Sequence, residues 1–208
     1  MRIVGLDLAG SEKRDTGFCY MSESLKCETR ALHTDKEILE ATLSAKPDIV
    51  SIDAPLCLPK GRKNLEQRDA PHLRECDRAL QRMHIRFFPI TLGPMRKLTA
   101  RGMMFKKIFE KKGLDVIESF PGSAQDILGI PRKQEGFEKL RRALIRYGIR
   151  GEVRKKDITH DELDGITCAI VGLCYLTGDY EALGVKEEGF MIVPKPPKKA
   201  AKHGRKAA

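Results

Sequence analysis

The chain opens on apolar runs with the short spacing of strands. Residues 2–8 form one such run, rich in strand formers. Residues 16–21 and 27–32 form two more, joined by the polar turn 22–24, so the first three elements predict an antiparallel meander. Thr34 and Glu37 then make a capping box ahead of Ile38, Leu39 and Leu43, which predicts a helix to about Ala45. Pro47 leads into a predicted strand over 48–52. The pattern breaks over 54–98, where Pro55, Pro59, Pro71, Pro89 and Pro94 interrupt it and only 73–83 reads as a short helix. Regularity returns with a helix over 99–112 ending at Gly113, and a strand over 114–118 stopped by Pro121. Helices follow over 134–147 and 159–176, the second the clearest in the chain, and 189–193 is the last ordered piece. A meander first and alternation later imply a mixed α/β sheet with helices on its faces.

Charge changes this picture more than composition does. The 208 residues carry 39 Lys/Arg and 29 Asp/Glu, a formal net charge of +10. Residues 60–112 hold 15 basic residues against five acidic ones, and 195–208 hold six basic residues and no acid. A basic arm beside an acidic body points to a polyanionic partner, nucleic acid first, although such charge also serves solubility. The expected organisation is one domain over 1–193, with a basic insertion at about 54–98 and a disordered basic tail over 194–208. The six cysteines show no C-x-x-C spacing, which argues against a zinc or redox motif and for a reducing, cytoplasmic setting. No apolar run approaches the ~20 residues of a membrane helix.

Three predicted strands end in a carboxylate: Ile3-Val-Gly-Leu-Asp7, Ile49-Val-Ser-Ile-Asp53 and Val116-Ile-Glu118. If they are parallel neighbours, the acids emerge at one edge of the sheet, ~4.8 Å apart from strand to strand. Carboxylates that close repel one another, and a divalent cation is the simplest remedy. Acids also open loops after strands without any such role. The helix over 159–176 adds a second pair. Thr159 and Glu162 form a capping box, which gives Glu162 a structural task. Asp161 and Asp164 are three residues apart, hence ~60° around the helix and ~4.5 Å along it, on one face. Acids in a first turn also answer the helix dipole. Asp164, however, borders a seam of small and apolar residues, Gly165, Ile166, Ala169, Ile170 and Gly172, where a charge needs a partner.

These motifs resemble the DUF429 family of predicted nucleases, which is assigned to the ribonuclease H-like fold. The matching residues are Gly5-Leu-Asp-Leu-Ala9, Ser51-Ile-Asp-Ala-Pro55, Arg74-Glu-Cys-Asp-Arg78, Val116-Ile-Glu-Ser-Phe-Pro121 and His160-Asp-Glu-Leu-Asp-Gly165. Glu188-Gly189-Phe190 with Pro194 is a weaker match, and the resemblance runs from Met1 to about Pro194. It implies a five-stranded mixed sheet of order 3-2-1-4-5, flanked by helices, with strands 1 and 4 parallel at its centre. It implies Asp7, Asp53, Asp161 and Asp164 as metal ligands and catalytic residues, with Glu118 as a fifth catalytic acid that fits less clearly. The acid pair on the last helix is similar to that of the Holliday-junction resolvase branch.

The activity implied is metal-dependent phosphodiester hydrolysis with two hard cations, Mg2+ or Mn2+, ~3.5–4 Å apart. Asp7 would bridge them. His160 either relays a proton or caps the helix start. Arg62, Lys63, Arg68, Arg74, Arg78 and Arg82 are the candidate contacts to DNA or RNA. Arg74, Arg78 and Arg82 are four apart and make either a binding stripe or a solvated helix face. Phe87 and Phe88 either stack on bases or belong to the core. Three rival readings stand beside the nuclease: a non-catalytic nucleic-acid-binding protein with the same fold, an ATP clamp using the hairpin 7–17, and a small-molecule phosphoesterase.

Overall fold

The structure is a computed structural model that describes residues 1–197. Its first three strands, β1 (Arg2–Asp7), β2 (Thr16–Ser22) and β3 (Lys26–Leu32), form the expected antiparallel meander. Helix α1 (Asp35–Ala45) starts on the Thr34/Glu37 capping box, with both reciprocal bonds made. Strand β4 (Ile49–Asp53) then returns parallel to β1. The proline-rich segment that follows carries α2 (Glu75–Arg82) and, at its end, the start of the next helix. Helix α3 (Gly93–Lys111) begins at Gly93 rather than near Thr99, because Pro94 opens the helix instead of preceding it.

Strand β5 (Val116–Ser119) lies parallel to β4. Next comes α4 (Pro121–Leu128), a helix that the pattern does not predict: Pro121, read as a stop, occupies its first position. Helix α5 (Phe137–Tyr147), a two-residue strand β6 (Arg150–Gly151) and α6 (His160–Thr177) follow. The hairpin β7 (Tyr180–Val185) and β8 (Gly189–Pro194) closes the described chain.

The fold is ribonuclease H-like. The sheet order is β6-β3-β2-β1-β4-β5-β8-β7, so the expected 3-2-1-4-5 order forms its centre. The expectation of five strands falls short of the eight present, because β6, β7 and β8 extend both edges. The expected tail begins at Pro194, which still belongs to β8; residues 198–208 lie outside the described residues. No described helix is long and apolar enough to cross a membrane.

Two cores flank the sheet. On one face, Ile3, Cys19 and Ile49 pack with Leu163, Ile166 and Ile170 of α6 and Leu140 of α5. On the other, Val4, Leu6, Val50 and Ile52 pack against Ile38 of α1 and Phe105 and Phe109 of α3. Successive residues of β1 and β4 thus alternate between the two cores, the period of a strand.

Candidate active site

That alternation decides where each acid points. Leu6 lies opposite Ile52 on the parallel pair β1 and β4, so Asp7 and Asp53 leave the sheet side by side. Both fall in phase with Ile3 and Ile49, on the face that α6 covers. Glu118 pairs with Ile52, and the residue opposite Asp53 is Ser119. Glu118 is therefore one position out of phase and turns to the opposite face. There its Oε2 accepts hydrogen bonds from the Leu56 backbone N–H (2.8 Å) and from Arg74 (2.7 Å). The expectation that Glu118 is a catalytic acid gives way to a buried ion pair, because the register of β5 on β4 turns it away from Asp7 and Asp53.

Helix α6 supplies the other acids, and the sheet's glycines let it come close. A Cβ on Gly5 would stand 2.2 Å from the Gly165 carbonyl oxygen, and one on Gly17 would stand 1.8 Å from that of Asp161. The helix thus rests on bare backbone of β1 and β2, and its first turn reaches the carboxyl ends of β1 and β4. The Thr159/Glu162 capping box fixes that turn as expected, and the Glu162 carboxylate also pairs with Lys155. Asp161 and Asp164 arrive within electrostatic reach of Asp7 and Asp53. His160 is exposed, with its ring edge against Phe137.

The four carboxyls crowd one another. Burial, then Asp53 and Asp164, push Asp7 well above the usual carboxylate range. Burial, then Asp164, push Asp53 up to about 7. Asp161 is also raised, first by burial. Asp164 has partners that sequence reasoning missed: Gln125 of α4 donates from Nε2 to Oδ1 (2.8 Å), and Lys133 Nζ stands 2.8 Å from Oδ2. Pro121 and Gly129 bracket α4 and were the signal for its helix, hence for Gln125. Nothing in the local pattern marks Lys133.

The donor set is all carboxylate oxygen, which suits a hard divalent cation, and the mutual repulsion gives that cation a purpose. Among the described residues, no three His, Cys, Asp or Glu side chains are already drawn together as a metal-binding group. Lys133 and Gln125 together hold Asp164 in this arrangement.

The proposed phosphate contacts divide. Arg74 is almost fully buried, with its guanidinium on Asp77 (2.9 Å) and Glu118 (2.7 Å). Arg62 is buried too, donating to the carbonyls of Asn64, Gln67 and Pro71 and so shaping its own loop. Neither guanidinium is free to meet a phosphate, and the stripe expected of Arg74, Arg78 and Arg82 loses its first member. Lys63, Arg68, Arg78 and Arg82 are exposed, Arg78 beside Glu75. Phe87 packs into a small core with Leu80 and Met191, whereas Phe88 is 70% exposed. A cleft of about 810 Å³ adjoins the acids, walled by Asp7 and Asp161 and rimmed by Arg14, Arg96, Lys97 and Lys133.

No protein-family model and no curated protein matches the chain. Among solved structures it is similar to T. thermophilus RuvC in complex with a Holliday junction substrate, at 14% identity and a TM-score of 0.50. That match covers 86% of this chain and 97% of the other. A second Thermus thermophilus RuvC structure matches over the same shares at 12% identity and a TM-score of 0.47. The likeness is one of fold.

Proposed function

We propose that this protein is a metal-dependent nuclease that hydrolyses phosphodiester bonds in a nucleic acid. One observation carries the reading: β1, β4 and α6 bring Asp7, Asp53, Asp161 and Asp164 within electrostatic reach of one another, and Asp7 and Asp161 open onto a cleft that also carries Arg14, Arg96, Lys97 and Lys133. The carboxylates would hold Mg2+ or Mn2+, which supplies charge neutralisation at the phosphate and a more acidic bound water. Division of that work between two ions is part of the proposal. Around it, Gln125 orients Asp164, and the anchored backbone at Ala9 keeps the segment after Asp7 in place. Ala9 N–H donates to Thr16 (3.1 Å), and its carbonyl accepts from Arg101 (2.7 Å).

The motifs shared with the DUF429 family support the same reading, and we place the chain with that family on them. The fold likeness to RuvC makes branched DNA the first substrate to try. We take residues 1–193 as one domain with a basic insertion at about 54–98, and the free cysteines as fitting a cytoplasmic setting.

The test is a cleavage screen over labelled single strands, duplexes, flaps and junctions of DNA and RNA, with Mg2+, Mn2+ or chelator. Metal-dependent cleavage is expected, and Asp7→Asn is expected to abolish it while nucleic-acid binding persists. Binding without cleavage of any substrate in either metal would replace the nuclease with the non-catalytic binding protein.

A further inference from the structure

We infer that Lys133 is a resident counter-cation of the carboxylate cluster, which a divalent ion must displace from Asp164 before it binds there. The inference rests on the metal-binding reading of the four acids and adds how their site is loaded. Lys133 Nζ lies 2.8 Å from Asp164 Oδ2. Lys133 also lines the same cleft as Asp7 and Asp161, so its ammonium stands among the acids rather than beside one of them. An ammonium placed on Asp164 and facing Asp7 and Asp161 occupies the electrostatic place of a metal ion. Like charges repel at such range, so the two compete rather than share.

The surroundings look made to deliver and release this side chain. Lys133 sits in a single 3-10 turn, Lys133–Glu135, between Pro131 and Gly136, whose φ of 127° suits glycine. It is thus not embedded in a long helix or strand, and its side chain is 41% exposed on the cleft side. A flexible four-carbon stem can swing outward from there without disturbing the core. Next door, Arg132 is clamped. Its guanidinium forks onto Asp126 of α4 (2.7 and 2.5 Å) and lies over the Phe120 ring. Gly122 makes room for it, since a Cβ there would stand 3.0 Å from Arg132 Nη1. Arg132 is accordingly a positioning residue that aims Lys133 at the acids.

The experiment is a Mn2+ titration of the full-length protein at fixed pH and ionic strength, reading free Mn2+ by its electron paramagnetic resonance signal. Wild type, Lys133→Met, Lys133→Gln, Lys133→Arg, Arg132→Ala and Asp7→Asn are compared. Removing the competing charge is expected to tighten Mn2+ binding about tenfold in the Met and Gln variants. Lys133→Arg keeps the charge and is expected to stay within about twofold of wild type. Arg132→Ala is expected to tighten binding by a smaller factor, because it only loosens the aim. The two neutral variants guard against one failing to fold, and Lys133 is exposed enough that both should melt cooperatively. Unchanged or weaker Mn2+ binding in the neutral variants, with wild-type binding intact, would overturn the inference and leave the metal site standing. A lysine that acts only on substrate would give that result together with lost cleavage. Absence of Mn2+ binding in wild type and every variant would instead overturn the metal reading, and this inference with it.

Discussion

Burial and the neighbouring acids make Asp7 and Asp53 hard to ionise, and that has a measurable consequence for the metal-free protein. Asp53 holds its proton up to about pH 7, because burial and then Asp164 raise it. In the unfolded chain the same carboxyl ionises near 3.9. Between those values the folded state binds a proton that the unfolded state lacks, so stability falls as pH rises. The stabilising contribution is complete below about pH 4 and lost as pH passes through 7. A melting temperature that drops from pH 5 to pH 8 without metal, and drops less with Mg2+, is the expected result. Asp7→Asn replaces a buried carboxyl that is costly to ionise with a neutral amide, and is expected to stabilise the metal-free protein by about 1 kcal/mol at pH 8, read by denaturant unfolding. Arg74 behaves in the opposite way. It neutralises Glu118 and Asp77 in the core, so Arg74→Leu leaves two buried carboxylates without their cation. A loss of about 3–5 kcal/mol is expected on the same measurement, far more than for exposed Arg82→Leu.

At the scale of elements, the site depends on how closely α6 can approach the sheet. A methyl group on Gly17 cannot fit where the Asp161 carbonyl lies 1.8 Å from its ideal position. Gly17→Ala must therefore push the first turn of α6 away from β2, carrying Asp161 and Asp164 with it. Over-packing of this kind costs about 1–3 kcal/mol, and a shift of ~1 Å at the acids costs about a hundredfold in cleavage rate. Unfolding curves and turnover of the same preparation check both numbers. Much of this arrangement is legible in the sequence. Both capping boxes, the meander and the small-residue seam of α6 follow from local pattern, which local forces enforce. What local pattern lacks is register. Glu118 and Asp53 look alike as strand-end acids, and only pairing with Ile52 shows that Glu118 faces the other way. Proline is equally two-sided, ending a strand and opening α4 at the same residue. Strand β6 is two residues long, and β7 has no clean alternation of buried and exposed positions, so neither announces itself. Gln125 and Lys133 meet Asp164 across 39 and 31 residues of chain, contacts that no window of sequence contains.

For the molecule as a whole, the question is which basic residues serve as an electrostatic surface and which serve the fold. A count of charge over 60–112 treats Arg62, Arg74 and Arg82 alike. The structure separates them, since a guanidinium already bonded to carbonyls or carboxylates in the interior cannot release counterions from a phosphate backbone. Lys63, Arg68, Arg78 and Arg82 remain exposed on the insertion. The residues 132–156 add a second basic stretch, ten Lys/Arg against three acids, that a division into basic arm and acidic body conceals. Within it, Arg141 is spent on the carbonyls of Val153 and Lys155, while Arg142, Arg146, Arg154 and Lys156 are exposed. Each phosphate contact contributes about 0.9 to the slope of log affinity against log salt on duplex DNA. Replacing Lys63, Arg68, Arg78 and Arg82 together by glutamine is expected to flatten that slope by up to about 3–4 if the insertion carries the contacts. The same change at Arg142, Arg146, Arg154 and Lys156 then leaves the slope near its wild-type value. Fluorescence anisotropy of a labelled duplex across a salt series reads both variants. A slope that falls only in the second variant would move the nucleic-acid path from the insertion to the side of α5. Arg62→Gln belongs to neither set: it is expected to leave the slope alone and to lower the melting temperature, because its loss unties the loop that five backbone carbonyls hold in place.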